Sequence, residues 1–145
     1  MLLLLSYHQP TPSGPSVFWD GLYVFFEKES YGDKAPFEIK TPWGSGDHII
    51  KLKNWSTGGL VLSAFVLDGA SFETEVPLGT YRLQYASGDS WYGIEHLFGP
   101  DTVYGQAESQ LKFFNNGINL MGHVVELIPQ RGGNLRTGRI SAGDF

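Results

Sequence analysis

The side chains best suited to chemistry in this sequence are concentrated in one segment, from residue 89 to residue 102. Carboxylates and a histidine can exchange protons with a substrate, ligate a hard cation or hydrogen-bond a ligand. Aromatic rings bury large areas on the flat apolar faces of ligands. The segment therefore predicts a binding rim on a loop, whose residues are Trp91, Tyr92, Glu95, His96 and Asp101.

Two more specific chemistries and one structural role are open for the same segment. Asp89, Glu95 and Asp101 carry the oxygen ligands that calcium prefers, although their spacing matches no calcium loop that we recognise. Glu95 with Asp101 would serve as the acid–base pair of a glycosidase. The structural alternative, which we favour, is that Trp91, Leu97 and Phe98 close one end of the fold while the acids cap turns.

The rest of the sequence predicts a protein that is not an enzyme and uses no cofactor or metal. It has no cysteine, and its four histidines are far apart in the sequence. This composition excludes thiol nucleophiles, disulfide frameworks and iron–sulfur sites. None of the short phosphate-binding, serine-hydrolase or zinc-protease motifs occurs.

The charge balance argues against nucleic acid as a partner. The net charge is −5, from 10 Lys and Arg against 15 Asp and Glu. Nucleic-acid binding normally needs a basic face, because phosphate neutralisation supplies most of the affinity. Arg131, Arg136 and Arg139 form the one local excess of positive charge, which we interpret as solvated surface.

The sequence predicts that short β-strands position the segment at residues 89–102. Glycine (19) and proline (8) are frequent, aromatic residues make up 14% and charged residues 17%. Apolar and polar residues alternate over 37–41, 50–53 and 81–85, and 60–67 is almost continuously apolar. Seven or eight such strands, with turn signals every eight to twelve residues, predict an all-β fold, an antiparallel β-sandwich with a long irregular loop over 87–109.

Local signals refine this prediction. Asp68-Gly69 and Asn116-Gly117 are typical of tight hairpin turns, because such turns favour residues that accept positive φ. We therefore expect 60–67 to pair with 70–76, and 110–114 to pair with a strand over 118–128. Residues 94–98 have the pattern of one helical turn, which the Gly99-Pro100 pair would end.

Residues 1–35 are interpreted as an extension to a domain at 36–145. Five apolar residues at 1–5 are too few for a membrane span or a secretory signal, so membrane contact is expected only through a longer precursor segment. Residues 11–16 read as a Pro/Ser/Gly linker, and an aromatic strand follows. That strand is either the first strand of the same core or a strand donated to a neighbouring copy. The self-association residues predicted for it are Val17, Phe18, Trp19, Leu22, Tyr23, Val24, Phe25 and Phe26.

Two resemblances to known families support a β module. The run 76–83, Val-Pro-Leu-Gly-Thr-Tyr-Arg-Leu, is similar to an edge found in transthyretin-like and PEGA-type β-sandwich modules. The run 91–102, Trp-Tyr-Gly-Ile-Glu-His-Leu-Phe-Gly-Pro-Asp-Thr, resembles a family of small bacterial domains with no assigned function. That second resemblance covers residues 36–145 and implies no activity. Residues 1–35 depart from the membrane segment or zinc ribbon that often precedes such domains.

The sequence predicts, in sum, a structural module of the cell envelope or the exterior that self-assembles through its N-terminal strand into an oligomer or filament. The alternative prediction is a module that binds a glycan or peptide at residues 91–102. Trp43 and Trp55 are further candidate platforms for such a ligand.

Overall fold

The computed structural model describes residues 3–4, 22–26, 32–127 and 137–145. Short strands dominate these residues, together with two single-turn 3-10 segments, so the predicted all-β class is confirmed. The strands are β1 (Leu3–Leu4), β2 (Leu22–Phe26), β3 (Lys34–Lys40), β4 (Asp47–Asn54), β5 (Leu60–Val66), β6 (Ser71–Pro77), β7 (Gly79–Gly88), β8 (Val103–Ala107), β9 (Leu111–Asn115), β10 (Leu120–Met121), β11 (His123–Glu126) and β12 (Thr137–Arg139). The 3-10 segments are Gly99–Asp101 and Ala142–Asp144.

These strands form a large and a small sheet that pack face to face. The large sheet has the order β1-β2-β5-β4-β7-β8-β12, and the β9–β10 hairpin joins it through the start of β7. The small sheet has the order β11-β3-β6. Neighbouring strands are antiparallel except for β11, which runs parallel to β3. The arrangement confirms the sandwich-like prediction.

The core lies between the two sheets and follows from the alternation in the sequence. Inward positions on β3, β4 and β7 are almost fully buried, and polar or charged residues alternate with them. Phe113 is the aromatic centre, with ring centroids 5.7 Å from Phe37, 5.6 Å from Tyr81 and 4.9 Å from His123. His123, for which a packed position is expected from its strand, therefore touches the core.

The predicted hairpin at Asp68-Gly69 is wrong, because β5 and β6 belong to different sheets. Both edges of β5 are already taken, one by β2 and the other by β4, so β6 pairs with β3 instead. The turn is tied across the end of the sandwich: the Asp68 carboxylate accepts backbone N–H bonds from Gly44 and Ser45 at 3.1 and 3.0 Å. The same Asp-Gly signal therefore serves an arch between sheets.

The single strand predicted over 118–128 is also wrong, because Gly122 divides it. The Asn116-Gly117 hairpin is confirmed by the pairing of β9 with β10. Immediately after it the chain crosses from the large sheet to the small one and continues as β11. Gly122 passes so close to the backbone of Pro36 that a Cβ atom would collide with its carbonyl group. Only glycine permits this crossing.

A strand also appears where an irregular loop is predicted. Residues 103–107 form β8, which pairs with β7 and packs Gly105 beneath the ring of Tyr85. The sequence Val-Tyr-Gly-Gln-Ala lacks clear alternation, because glycine takes the position that the Tyr85 ring covers. The irregular part of the predicted loop is therefore confined to residues 89–102 and the 108–110 connection.

The N-terminal aromatic strand pairs with its own chain. Leu22–Phe26 form β2, whose five residues are in register with residues 62–66 of β5. Of the predicted self-association residues, Val17, Phe18 and Trp19 lie outside the described residues, as do the 11–16 linker and the arginines at 131 and 136. Within the part of the chain that the structure describes, no helix is long and apolar enough to cross a membrane.

Candidate functional site

The predicted binding segment, residues 89–102, folds over the outer face of the large sheet. Its Trp91 ring packs edge-on against Phe65 of β5 at 5.1 Å and against Phe98 at 5.3 Å. Phe98 is only 3% exposed, and its Cβ lies so close to Gly88 that a side chain at that position would collide with it. The three rings and Ala86 form a second, smaller core, which we call the outer cluster.

The segment holds its shape through bonds among its own residues. The N–H of Tyr92 donates to the carbonyl of Leu97 at 2.7 Å, and the N–H of Leu97 donates to that of Gly93 at 2.7 Å. The Thr102 hydroxyl donates to the Gly99 carbonyl at 2.6 Å and accepts the N–H of Phe98 at 3.1 Å. The Leu97 bond to Gly93 spans four residues, as in a single α-turn, so residues 94–98 form isolated hydrogen-bonded turns and not a continuing helix; a 3-10 turn follows at Gly99–Asp101.

The predicted binding residues have divergent environments. Trp91 is partly buried in the outer cluster, whereas Tyr92 is 58% exposed and lies against Gly99. Glu95, His96 and Asp101 are exposed, and among the described residues no hydrogen bond or ion pair links their side chains. The segment thus places its largest ring inward and its polar groups separately in solvent. Binding at these residues stays a prediction.

Two further candidate platforms also differ. Trp43 is 85% exposed and its ring covers Gly69, so its outer face is open to solvent. Trp55 is 37% exposed and is covered by the Arg82 guanidinium, 4.3 Å from the ring centroid. Of the two, Trp43 offers the free flat surface.

No metal centre is found in the parts of the chain that the structure describes, where no three His, Asp or Glu side chains are grouped to hold an ion. The calcium interpretation of Asp89, Glu95 and Asp101 therefore gains no support from their positions. The indole N–H of Trp91 is buried and has no acceptor among the described residues. The Trp91 ring itself packs against the rings of Phe65 and Phe98.

Two titratable residues at the start of β4, Asp47 and His48, were not among the residues predicted from the sequence. Burial raises the pKa of Asp47, the N–H that Asp68 donates to it at 2.9 Å lowers it, and the charges of Asp68 and Asp89 raise it again. Burial also lowers the pKa of His48, against smaller upward effects of the Gly46 backbone and Asp68. His48 is 3% exposed and lies in phase with the buried Ile50 and Leu52 on β4, which was the signal for its burial.

We expect the free energy of unfolding to fall as the pH drops below about 6.5, because of His48. The unfolded chain binds a proton at the ordinary histidine pKa, whereas the folded state resists it until a lower pH. The stability is therefore complete above pH 6.5 and is lost as the pH falls through the folded-state pKa. Urea unfolding at a series of pH values measures this slope, and His48→Gln should flatten it.

Asp47 acts in the opposite direction in a more acidic range. Its folded-state pKa is raised above 3.8, so the folded chain takes up a proton before the unfolded chain does. Acidification through that range stabilises the fold at this residue. A slope between pH 7 and 5 that is equally steep in His48→Gln and in the parent would contradict the assignment to His48.

One feature of the sequence could have predicted the outer cluster. Residues 60–67 are apolar on both faces of β5, and a strand that is apolar on both faces must be covered on both. The inner face meets the small sheet, and the outer face at Phe65 meets the 89–102 segment. The apolar residues of the 89–102 segment therefore serve to cover the outer side of β5.

Comparison with known proteins adds no relative. No family model, no curated protein and no solved structure significantly matches this chain. The resemblances carried by residues 76–83 and 91–102 stay predictions.

Proposed function

We propose that this chain is a non-enzymatic structural module of the cell envelope or the exterior, whose copies join by exchanging strand β2. The observation that carries the proposal is the pairing of β2 with β5. All five residues of β2 are in register with residues 62–66, and β4 occupies the opposite edge of β5. The edge of β5 is thus a complete acceptor for one added strand.

The same backbone ladder can form within a copy or between two copies. Strand addition relies on main-chain hydrogen bonds to a sheet edge, and these bonds are the same whichever chain supplies the strand. On its other side, within the described residues, β2 is paired at Phe25 and Phe26 by the two residues of β1. A strand that each copy gives to the next produces a heterologous contact, which builds an open filament unless it closes into a ring.

The packing of the 89–102 segment favours this structural role over ligand binding. Trp91, the largest ring of the predicted rim, is committed to Phe65 and Phe98. The exposed acids and His96 are not assembled into a joint site. A scaffold that uses its loop residues to cover a sheet needs no ligand to complete it.

Cysteine cross-linking tests strand exchange with little background, because the chain has no cysteine. Phe25 and Ser63 are register partners on β2 and β5, so Phe25→Cys and Ser63→Cys chains are prepared separately, one with a larger tag. The two are mixed, refolded together and oxidised. We expect a mixed disulfide-linked dimer, seen as its own band without reductant, because a β2 from one copy pairs with the β5 of another.

Ser87→Cys and Val103→Cys chains are the matched control, because these register partners lie on β7 and β8 within one body. Their mixture should give no mixed dimer above the level of random collision. A double variant Phe25→Cys/Ser63→Cys that closes only an intrachain disulfide, with no mixed dimer from the single variants, would show that β2 stays with its own copy.

A further inference from the structure

The charge distribution of the sandwich points to a second contact between copies, in which the outer face of the small sheet stacks on the outer face of the large sheet. This contact uses none of residues 1–26, so it does not depend on strand exchange. It rests on two opposed charged surfaces that one copy cannot bring together, since they lie on opposite sides of the same core.

The outer face of the small sheet is acidic. On β3, β6 and β11 the inward positions are buried, and the alternate positions point outward. Glu38 stands directly opposite Glu73 across the β3–β6 pair. Like charges in directly opposite cross-strand positions are destabilising. We call this surface the acidic face; its glutamates are Glu38, Glu73, Glu75 and Glu126.

The acidic face has room for a partner, and its cations compensate only part of its negative charge. A groove of about 610 Å³ runs over it, lined by Pro36, Val124 and three of the glutamates. The one ion pair among the described residues is here, between Lys40 and Glu38 at 3.5 Å, and Lys34 is the other cation on the outward side of β3. Glu73 and Glu75 have no cationic partner in the described residues.

Four cations are grouped on one part of the outer face of the large sheet, in a chain whose net charge is −5, and the 89–102 segment covers another part of that face. Lys53 stands opposite Arg82 across the β4–β7 pair, Lys51 lies two residues along β4, and Lys112 stands opposite Thr80 on β9. Strand alternation puts all four on the side away from the core. We call this surface the basic face; its cations are Lys51, Lys53, Arg82 and Lys112.

The cations of the basic face are crowded and only partly compensated by their own chain. Lys51 and Lys53 each donate to the oxygen of Phe145 at 2.9 Å, and Lys53 lies 3.4 Å from the carbonyl oxygen of Asp144. The Nε of Arg82 is buried without an acceptor among the described residues. Burial first, and then the charge of the neighbouring cation, lowers the pKa of both lysines, while the charge of Asp144 acts to raise that of Lys53.

The partner that fits both faces is a second copy of this chain. Residues two apart on a strand are about 6.6 to 6.8 Å apart, so Lys51 and Lys53 match the spacing of Glu73 and Glu75. Opposite potentials on two surfaces steer association and set its register. Because the two faces differ, the contact is heterologous, and repeated stacking extends in one direction.

Charge reversal tests the stacking without disturbing the core. One variant carries Glu73→Lys with Glu75→Lys and the other carries Lys53→Glu with Lys112→Glu. Light scattering of the parent should show a mass that falls as salt is raised, with an apparent Kd about tenfold weaker at high salt. The first variant has two basic faces, and the second keeps only Lys51 and Arg82 against two new glutamates on its large sheet, so neither has opposed faces and this salt-dependent association should disappear.

Mixing the two variants gives the decisive outcome. The native basic face of the first variant then meets the native acidic face of the second, so association should return in the mixture. A Glu95→Lys/Asp101→Lys variant changes the net charge as much as the first variant but leaves the charged residues of both named faces unchanged, so it should keep the salt-dependent association of the parent. A parent mass that ignores salt, or a mixture that stays unassociated, overturns the stacking. The Phe25–Ser63 cross-link is read separately, so either contact can fail alone.

Discussion

Replacing Gly122 with alanine is expected to lower the free energy of unfolding by about 3 kcal/mol or more, and in practice to prevent folding. The added Cβ would meet the carbonyl oxygen and carbon of Pro36, which are backbone atoms and cannot turn aside. Pro36 lies inside β3, which is held on one side by β11 and on the other by β6. The collision can be relieved only by separating strands of the small sheet.

Chemical denaturation of Gly122→Ala measures this loss. Gly143→Ala is the matched control, because a Cβ there meets nothing closer than the Ser141 hydroxyl at 3.8 Å, and we expect it to change stability by less than about 0.5 kcal/mol. Equal stability of the two variants would mean that the chain does not cross between the sheets at Gly122.

Replacing Trp91 with alanine is expected to cost about 2 to 4 kcal/mol, because the ring fills the space between Phe65 and Phe98. Its removal would leave a hole in the outer cluster and expose Phe98, which is now 3% exposed. Thermal or urea unfolding of Trp91→Ala gives the value.

Tyr92→Ala separates this structural role from ligand binding. Its ring is 58% exposed, so its loss should change stability by less than about 1 kcal/mol. The opposite pattern would contradict the structural interpretation: a Trp91→Ala chain with unchanged stability that loses a glycan or peptide bound by the parent. The binding measurement is a glycan-array or peptide screen with parent and variant side by side.

Much of the fold could be predicted because burial on one face leaves a period of two in the sequence. Phe37 and Ile39 on β3, and Ile50 and Leu52 on β4, point inward as their alternation with lysine and glutamate predicts. The alternation does not indicate which strand each strand pairs with. The Asp68-Gly69 turn has the same local chemistry in a hairpin and in an arch, and the occupied edges of β5 decide between them.

The site was harder to predict for a related reason. A tryptophan at position 91 is equally compatible with binding a ligand and with packing in a core. Only the apolar outer side of β5, which needs to be covered, distinguishes the two roles. The crossing at Gly122 has no local mark either, because an isolated glycine in a strand has several causes. The basic face was invisible along the chain, since Lys53, Arg82 and Lys112 come from three different strands.

The parallel pairing of β3 with β11 has a consequence for the biosynthesis of the protein. Translation delivers β3 and β6 well before residues 123–126, so a β3–β6 pair formed in that interval would have two open edges, of which β11 later covers the one on β3. A two-stranded ribbon is only marginally stable in water, and an open strand edge can pair with a neighbouring nascent chain. The small sheet can therefore be completed only after residue 126 has left the ribosome. A chain that ends before residue 123 would lack β11 and should aggregate more readily.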